Sequence, residues 1–359
     1  MILTEKYEAF ILKNASQVSG IESFLRSLTY VLPGRFNDSE FASEALFAFI
    51  NLLGLYHDKI LVKAASNHYQ ETGEKPPTPG NFNRYVRYLY RSSDNYRRAS
   101  IVLTVLQYTE VLIEMGIQKK WGKDKKWNVI LFIEGLKAAL RFSLVHMSGN
   151  RTLISPPHPE REVDPSAINS DRTTVKTPTW TGSRTGQNHP AIDTIVQDKK
   201  GNLRVTEYVL SKVLDVESAR KPLDLVRTLS GWGNIGEILY IIRPLLYVLL
   251  IKKYGNQSWK PWILSLLVEY TSRKSTEQHM EANGGMRAAS SLEQEESKRR
   301  QWLLIFYLLR NPLYERLTKP QIQEFCKSAS KKPIISLFAG VLQDYMPLWE
   351  NIYFYTSAS

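Results

Sequence analysis

A chain of 359 residues with 43% hydrophobic content can bury the core of one large or two ordinary helical domains, which excludes a wholly disordered protein. Lys and Arg outnumber Asp and Glu by 47 to 35, and the formal charge of +12 favours anionic membrane surfaces, acidic protein patches or nucleic acid as partners. The single cysteine, Cys326, excludes an internal disulfide and any multi-cysteine zinc or iron-sulfur site, and fits a reducing compartment.

The N-terminal stretch from Met1 to Lys13 alternates Lys and Glu among apolar residues, so no cleaved secretory signal is expected. From Val18 to Leu32 the apolar positions Val18, Ile21, Leu25, Leu28 and Leu32 recur at three- and four-residue steps, which predicts an amphipathic helix that Pro33-Gly34 ends. Asn37 with Glu40 offers a capping arrangement for a second, very apolar helix to about Val62, whose polar positions Glu44, Asn51 and Asp58 form one stripe. The insert with Pro76-Pro77-Thr78-Pro79-Gly80 and Arg91 to Arg98 reads as an exposed loop before the apolar segment Ile101 to Ile117. A lysine cluster follows, at Lys119, Lys120, Lys123, Lys125 and Lys126, and then a long helical pattern from Trp127 to Met147 with Glu134, Lys137 and Arg141 on one face.

Ser148 to Gly201 is polar, Pro-rich and almost free of apolar periodicity, so it reads as a flexible linker that divides the chain in two. Beyond it come an amphipathic stretch near Leu203 to Leu229, an apolar run from Ile235 to Ile251, and a second from Pro261 to Thr271. A charged loop extends to about Arg300, and the last helices cover Trp302 to Leu309, Lys319 to Ser328 and Ile334 to Trp349. The expected organisation is an N-terminal helical region 1–147, a flexible polar linker 148–202, a helical region with a membrane hairpin 203–271, a charged loop 272–300 and a C-terminal helical region 301–359. No internal repeat or alternating strand pattern is visible, so the class is all-α: a multi-helix membrane-associated bundle with long disordered polar linkers.

A spanning helix needs about 20 mostly apolar residues, and Ile235 to Ile251 comes nearest. Its eleven Ile, Leu and Val residues favour insertion by roughly 5 kcal/mol, whereas Arg243 costs roughly 3 and Glu237 adds a smaller penalty. Pro244 removes a backbone donor beside that arginine, so Arg243 and Pro244 together mark a candidate specific contact, with an ion pair to Glu237 or Glu269 as the plainer explanation. The following turn ends in Trp259, Lys260, Pro261 and Trp262, a mixture of cations and rings suited to seating a hairpin at lipid headgroups or to meeting a partner. A soluble bundle with a basic loop fits the same residues. Asn311-Pro312 ends a helix, and Tyr314 and Arg316 beyond it are further candidate contacts.

The string Glu237-Ile238-Leu239-Tyr240-Ile241-Ile242-Arg243-Pro244-Leu245-Leu246, with Ser258-Trp259-Lys260-Pro261-Trp262, resembles the peroxin 16 family, which assists assembly of peroxisomal membranes. The resemblance continues in Leu308-Leu309-Arg310-Asn311-Pro312-Leu313-Tyr314-Glu315-Arg316 and in Asp344 to Tyr355, and in the first half in Leu32 to Ser39, Asn51-Leu52-Leu53, Glu114-Met115-Gly116 and Trp121-Gly122. It implies an integral membrane protein exposed to the cytosol, reaching peroxisomes and the endoplasmic reticulum, and docking peroxin 3 and other peroxisomal membrane proteins. Family members often carry a basic targeting stretch after the first apolar helix. Here Lys59 and Lys63 lead into the mostly neutral Ala64-Ala65-Ser66-Asn67-His68, so Arg91, Arg97 and Arg98 become the candidate targeting residues.

Catalytic constellations are not visible. The six histidines are dispersed without metal spacing, no phosphate-cradling glycine loop occurs, and His57-Asp58 has no nucleophile nearby. The expectation is a recruitment adaptor at the lipid bilayer, with no cofactor, metal, nucleic acid or small-molecule substrate. The competing readings are a membrane-surface lipid-modifying enzyme and a soluble helical scaffold. The terminal Ser357-Ala358-Ser359 is not the Ser-Lys-Leu signal of a peroxisomal matrix enzyme.

Overall fold

The computed structural model describes residues 6–7, 10–11, 14–29, 39–72, 79–161, 179–181, 188–190, 220–329 and 335–352. Pro33-Gly34, the cap at Asn37, most of the linker with Leu203 to Val216, and the terminal residues from Tyr353 lie outside them. Helix α1 spans Ala15–Thr29 and α2 spans Ser39–Thr72, ten residues beyond the expected end near Val62. The polar stripe of α2 faces α1 and the chain near residue 161: Asn51 accepts from Arg26 at 3.2 Å, Asp58 pairs with Arg161, and the buried His57 bonds Glu22 and Tyr7.

Two helices replace the expected loop around the arginines. Helix α3 (Asn81–Ser92) places Tyr85, Val86 and Leu89 inward at helical spacing, with Arg91 at its exposed end. Ser93 caps the next helix by accepting from the Tyr96 amide. That helix, α4 (Asp94–Met147), is folded back at Gly122, whose φ of 80° is one that glycine adopts without strain. Lys137 lies 2.8 Å from Glu110, 27 residues away, a separation that would be roughly 40 Å along a straight helix. Lys126 likewise reaches Glu114 at 2.6 Å, so the two limbs of α4 run antiparallel on either side of the lysine cluster.

Residues 148–161 pack closely although their composition reads as linker. Leu153 and Ile154 enter the largest core cluster, and Asn83 exchanges two hydrogen bonds with the Glu160 backbone at 3.1 and 2.9 Å. This order comes from hydrogen bonds and two buried side chains, which leave no periodic signature. A short 3₁₀ turn (Pro222–Leu225) delivers Leu225 and Val226, both fully buried, into the same cluster beside Leu103, Leu144 and Leu292. Each such side chain contributes about 1.5–3 kcal/mol by burial. Segments from both sides of the polar linker therefore share one core.

Helices α5 (Trp232–Tyr254) and α6 (Trp259–Ala282) form the hairpin expected from the two apolar runs, turned by Gly255. The tip of α4 packs Ile130 and Ile133 on Tyr247, Val248 and Ile251 of α5. The charged stretch 272–300 is mostly helical. It contains the end of α6 and helix α7 (Ser291–Trp302), which starts in a capping box where Ser290 and Glu293 bond each other's backbone amides. The remaining elements are a 3₁₀ segment (Leu303–Leu309), a π turn (Tyr314–Thr318), α8 (Lys319–Ala329) and α9 (Ile335–Asn351). Within the linker the described residues include two three-residue strands, β1 (Thr179–Thr181) and β2 (Asn188–Pro190), antiparallel with Trp180 opposite His189. Apart from this ribbon the described residues are all-α.

Among the described residues, three helices are long and apolar enough to cross a membrane: Phe41–Lys63 in α2, Asp94–Gly122 in α4 and Trp232–Tyr254 in α5. Only the third contains the segment expected from composition. In each, less than half of the apolar window is covered by protein.

Candidate functional site

Small residues bring α5 and α6 into close contact. A Cβ on Gly236 would stand 2.6 Å from Thr276 Oγ1 and 2.9 Å from the Ser272 carbonyl oxygen, and one on Gly233 would stand 2.7 Å from the His279 ring. Ser272 donates to the Gly236 carbonyl at 2.7 Å. Backbone approach through Gly and Ser is how helices associate where hydrophobic burial gives little drive.

This approach places a chain of ions between α5, α6 and α7. Arg243, 2% exposed, pairs with Glu269 of α6, which also accepts from Arg273 at 2.7 Å. Glu237 instead pairs with Arg300 of α7 at 2.8 Å and accepts from the Leu153 amide at 3.2 Å. Of the two partners foreseen for Arg243, Glu269 is the one it meets. Tyr240 lies between, its ring centroid 3.9 Å from Arg300 and 4.9 Å from Arg243. Glu296 binds Arg299 and Arg300. Burial pushes the Glu296 carboxyl up, but the hydrogen bonds and charges of these two arginines outweigh it and hold the group below the usual carboxylate range. Burial likewise opposes the charge of Arg300, and Glu237 with Glu296 restores it. A cleft of about 570 Å³ opens beside the network between α6 and α7, lined by Tyr270, Arg273, Glu277 and Glu296 among others.

The structure separates the sequence-predicted contacts into two groups. Arg243, Pro244, Pro261 and Tyr314 are buried, and α5 stays helical on both sides of Pro244. Trp259, Lys260, Trp262 and Arg316 form a half-exposed edge: Trp259 meets Trp262 edge to face at 5.8 Å, Arg316 lies 5.5 Å over Trp259, and Lys260 lies 4.9 Å over Tyr254. Trp262 donates to the Tyr307 carbonyl at 3.1 Å, which fixes the edge to the 3₁₀ segment. Beneath it Arg310, 1% exposed, is held between the rings of Tyr247 and Tyr307 and donates to Ser265 at 3.2 Å. Arg91, Arg97 and Arg98 lie elsewhere, exposed on α3 and the start of α4, with Arg97 paired to Asp94 at 3.0 Å.

Sequence reasoning missed the Glu237–Arg300 pair, Tyr240 and the glycines Gly233 and Gly236. The Ser290-to-Glu293 spacing was a readable capping signal, whereas nothing local in the sequence joins Glu237 to an arginine on α7. Among the described residues no group of three or more His, Cys, Asp or Glu is placed to hold a metal ion. The arrangement holds helices together and presents side chains.

Sequence comparisons agree with this architecture. The family profile described as "Peroxisomal membrane protein (Pex16)" matches residues 5–351. "Peroxisome biogenesis protein 16" of Arabidopsis thaliana is 26% identical over 398 aligned residues, covering 99% of this chain and 100% of the relative. "Peroxisomal membrane protein PEX16" of Schizosaccharomyces pombe is 22% identical over 92% of both chains, and "Peroxisome biogenesis factor 16" of Dictyostelium discoideum is 39% identical over 35% of this chain and 31% of its own. No solved structure matches. With a family match over nearly the whole chain, on a helical scaffold with three helices able to span a bilayer, the protein belongs to the Pex16 family of peroxisomal membrane proteins.

Proposed function

We propose that this chain is a membrane-held docking adaptor that recruits newly made peroxisomal membrane proteins, peroxin 3 among them, by binding and without catalysis. The observation that carries this reading is a row of exposed apolar side chains on α6: Ile263, Leu264, Leu267 and Tyr270, at 50%, 43%, 57% and 66% exposure. They recur at one-, three- and three-residue steps, so they share a face opposite the buried Ser265, Glu269 and Ser272. Helix α6 is not among the helices apolar enough to cross a membrane, so its apolar row is better matched to a protein partner than to the lipid interior. Trp259, Lys260, Trp262 and Arg316 extend the face with the aromatic and arginine side chains enriched in binding interfaces. The exposed Arg91, Arg97 and Arg98 supply the basic element for delivery to the organelle, by way of the endoplasmic reticulum or directly.

The test is co-immunoprecipitation of tagged peroxin 3 with the full chain and with the Leu267→Glu/Tyr270→Glu variant, both retained in membranes after alkaline carbonate extraction. Capture should fall by about tenfold in the variant, as expected for loss of a central contact. Equal capture by both proteins would refute the reading.

A further inference from the structure

Arg141 is buried to 8% exposure in the second limb of α4, yet among the described residues it makes no hydrogen bond and no ion pair. Its expected neighbours on the helix face are engaged elsewhere: Lys137 takes Glu110 at 2.8 Å and Glu134 at 3.2 Å. A guanidinium carries five N–H donors, and those of Arg141 take no acceptor among the described residues, its charge acting instead on the Glu110 carboxyl nearby.

Arg141 lines a cavity of about 230 Å³ where α4, the segment after it, α5 and α7 meet. Arg299 and Arg300 line it too, with Gln107, Ser155 and Tyr240, and no carboxylate is part of its wall. Arg300 is spent on Glu237, Glu296 and the Leu153 carbonyl, whereas among the described residues Arg299 uses Nε and one terminal nitrogen, both on Glu296. The side chains of Gln107, Ser155 and Tyr240 also form no hydrogen bond among the described residues. The cavity therefore combines unclaimed donors on Arg141 and Arg299 with an amide and two hydroxyls.

We infer that this cavity binds the phosphate group of a small phosphorylated ligand, with Arg141 as its principal donor and Arg299, Gln107 and Ser155 completing the cradle. Planar guanidinium forks match phosphate oxygens in geometry and charge, and a phosphate supplies the acceptors that Arg141 does not take from the described residues. The cavity volume exceeds a bare phosphate, so it admits either inorganic phosphate or a phospholipid headgroup. The wall is consistent with both, since Gln107 and Tyr240 belong to two of the helices able to span a bilayer. This inference is independent of the docking face on α6.

The test uses the full chain purified in non-ionic detergent and phosphate-free buffer, titrated calorimetrically with inorganic phosphate and with dihexanoyl phosphatidic acid, against sodium chloride at matched ionic strength. Saturable binding of a phosphate probe that chloride does not reproduce is expected. Equal affinity for the two probes assigns free phosphate, and preference for the lipid assigns a headgroup. Arg141→Gln should weaken binding by about tenfold or more, the scale of a lost charge-assisted contact, while Lys274→Gln leaves it unchanged. If Arg141→Gln does not fold, Gln107→Leu/Ser155→Ala alters the same cradle without touching an ion pair and should weaken binding in the same direction. Absence of saturable binding by the folded wild-type chain would overturn the inference, as would unchanged affinity in these variants.

Discussion

Arg300 of α7 donates from its two terminal nitrogens to both oxygens of Glu237 on α5, at 2.8 and 2.9 Å, across 63 residues of sequence. Both side chains are largely withdrawn from solvent, at 11% and 3% exposure. Together with Leu153, whose amide and carbonyl they also engage, they tie the segment after α4 to the C-terminal helices.

Removing Arg300 leaves the buried Glu237 carboxylate with the Leu153 amide and no cation, whereas removing Glu237 leaves Arg300 to Glu296 and the Leu153 carbonyl. Arg300→Met alone should cost about 3–5 kcal/mol of stability, and Glu237→Leu less, since Glu296 still pairs with Arg300. The double variant should recover a large part of that loss, because neither charge then remains. Thermal unfolding of the four proteins in one detergent measures the coupling; additive losses would show that the pair is not a unit.

The α5–α6 contact depends on the missing side chain at Gly236. Gly236→Val should force the helices apart, since any Cβ there meets Thr276 and the Ser272 carbonyl inside 3 Å, and should cost about 1–3 kcal/mol or more by overpacking. Gly54→Ala serves as the contrast: nothing lies within 4 Å of its Cβ position, and alanine in a helix should be neutral or stabilising by about 0.5–1 kcal/mol. Proteolytic sensitivity of the two variants is the readout.

Acid should weaken the fold in two windows. His158, bonded through Nδ1 to Thr104 at 3.2 Å, has its pKa lowered from 6.5 by burial, with Asp58 acting in the opposite direction. The folded state thus favours neutral imidazole: its stability is fully present above the unfolded value and declines as pH falls below it, where the unfolded chain binds the extra proton. Glu296, held below 4.5, adds stability that is present above that value and lost as pH falls through the lowered folded one. His158→Gln should flatten the upper window and leave the lower one, as read from denaturation midpoints across pH.

Arg91, Arg97 and Arg98 are exposed, and only Arg97 has an ion pair with a described residue, itself exposed. Replacing all three with Gln should change stability by less than about 0.5 kcal/mol, the usual range for surface substitutions. Organelle localisation of a fluorescent fusion should nevertheless be lost; retained localisation would remove these residues from targeting.

Helices with unbroken apolar periodicity were readable from sequence, including the α5–α6 hairpin and the two limbs of α4 on either side of the lysine cluster. The helices that escaped notice carry their order in other ways. In α3 the inward Tyr85, Val86 and Leu89 alternate with arginines that gave the segment the look of a loop, and in α7 charge hides a helix secured by a capping box and by Glu296 with its two arginines. The half-exposed edge at Trp259, Lys260 and Trp262 could be located because aromatic and basic residues cluster locally. The partners of Glu237, Arg243 and Arg310 were harder to assign, because each ion pair or ring contact joins residues far apart in the chain and only packing selects among the candidates.

The most direct measurement follows tagged peroxin 3 and a second tagged peroxisomal membrane protein in cells depleted of this chain. Both should fail to accumulate in peroxisomal membranes, with recovery on re-expression of the wild-type chain and none with Leu267→Glu/Tyr270→Glu. Normal arrival of both proteins at peroxisomes in the depleted cells would contradict a recruiting role.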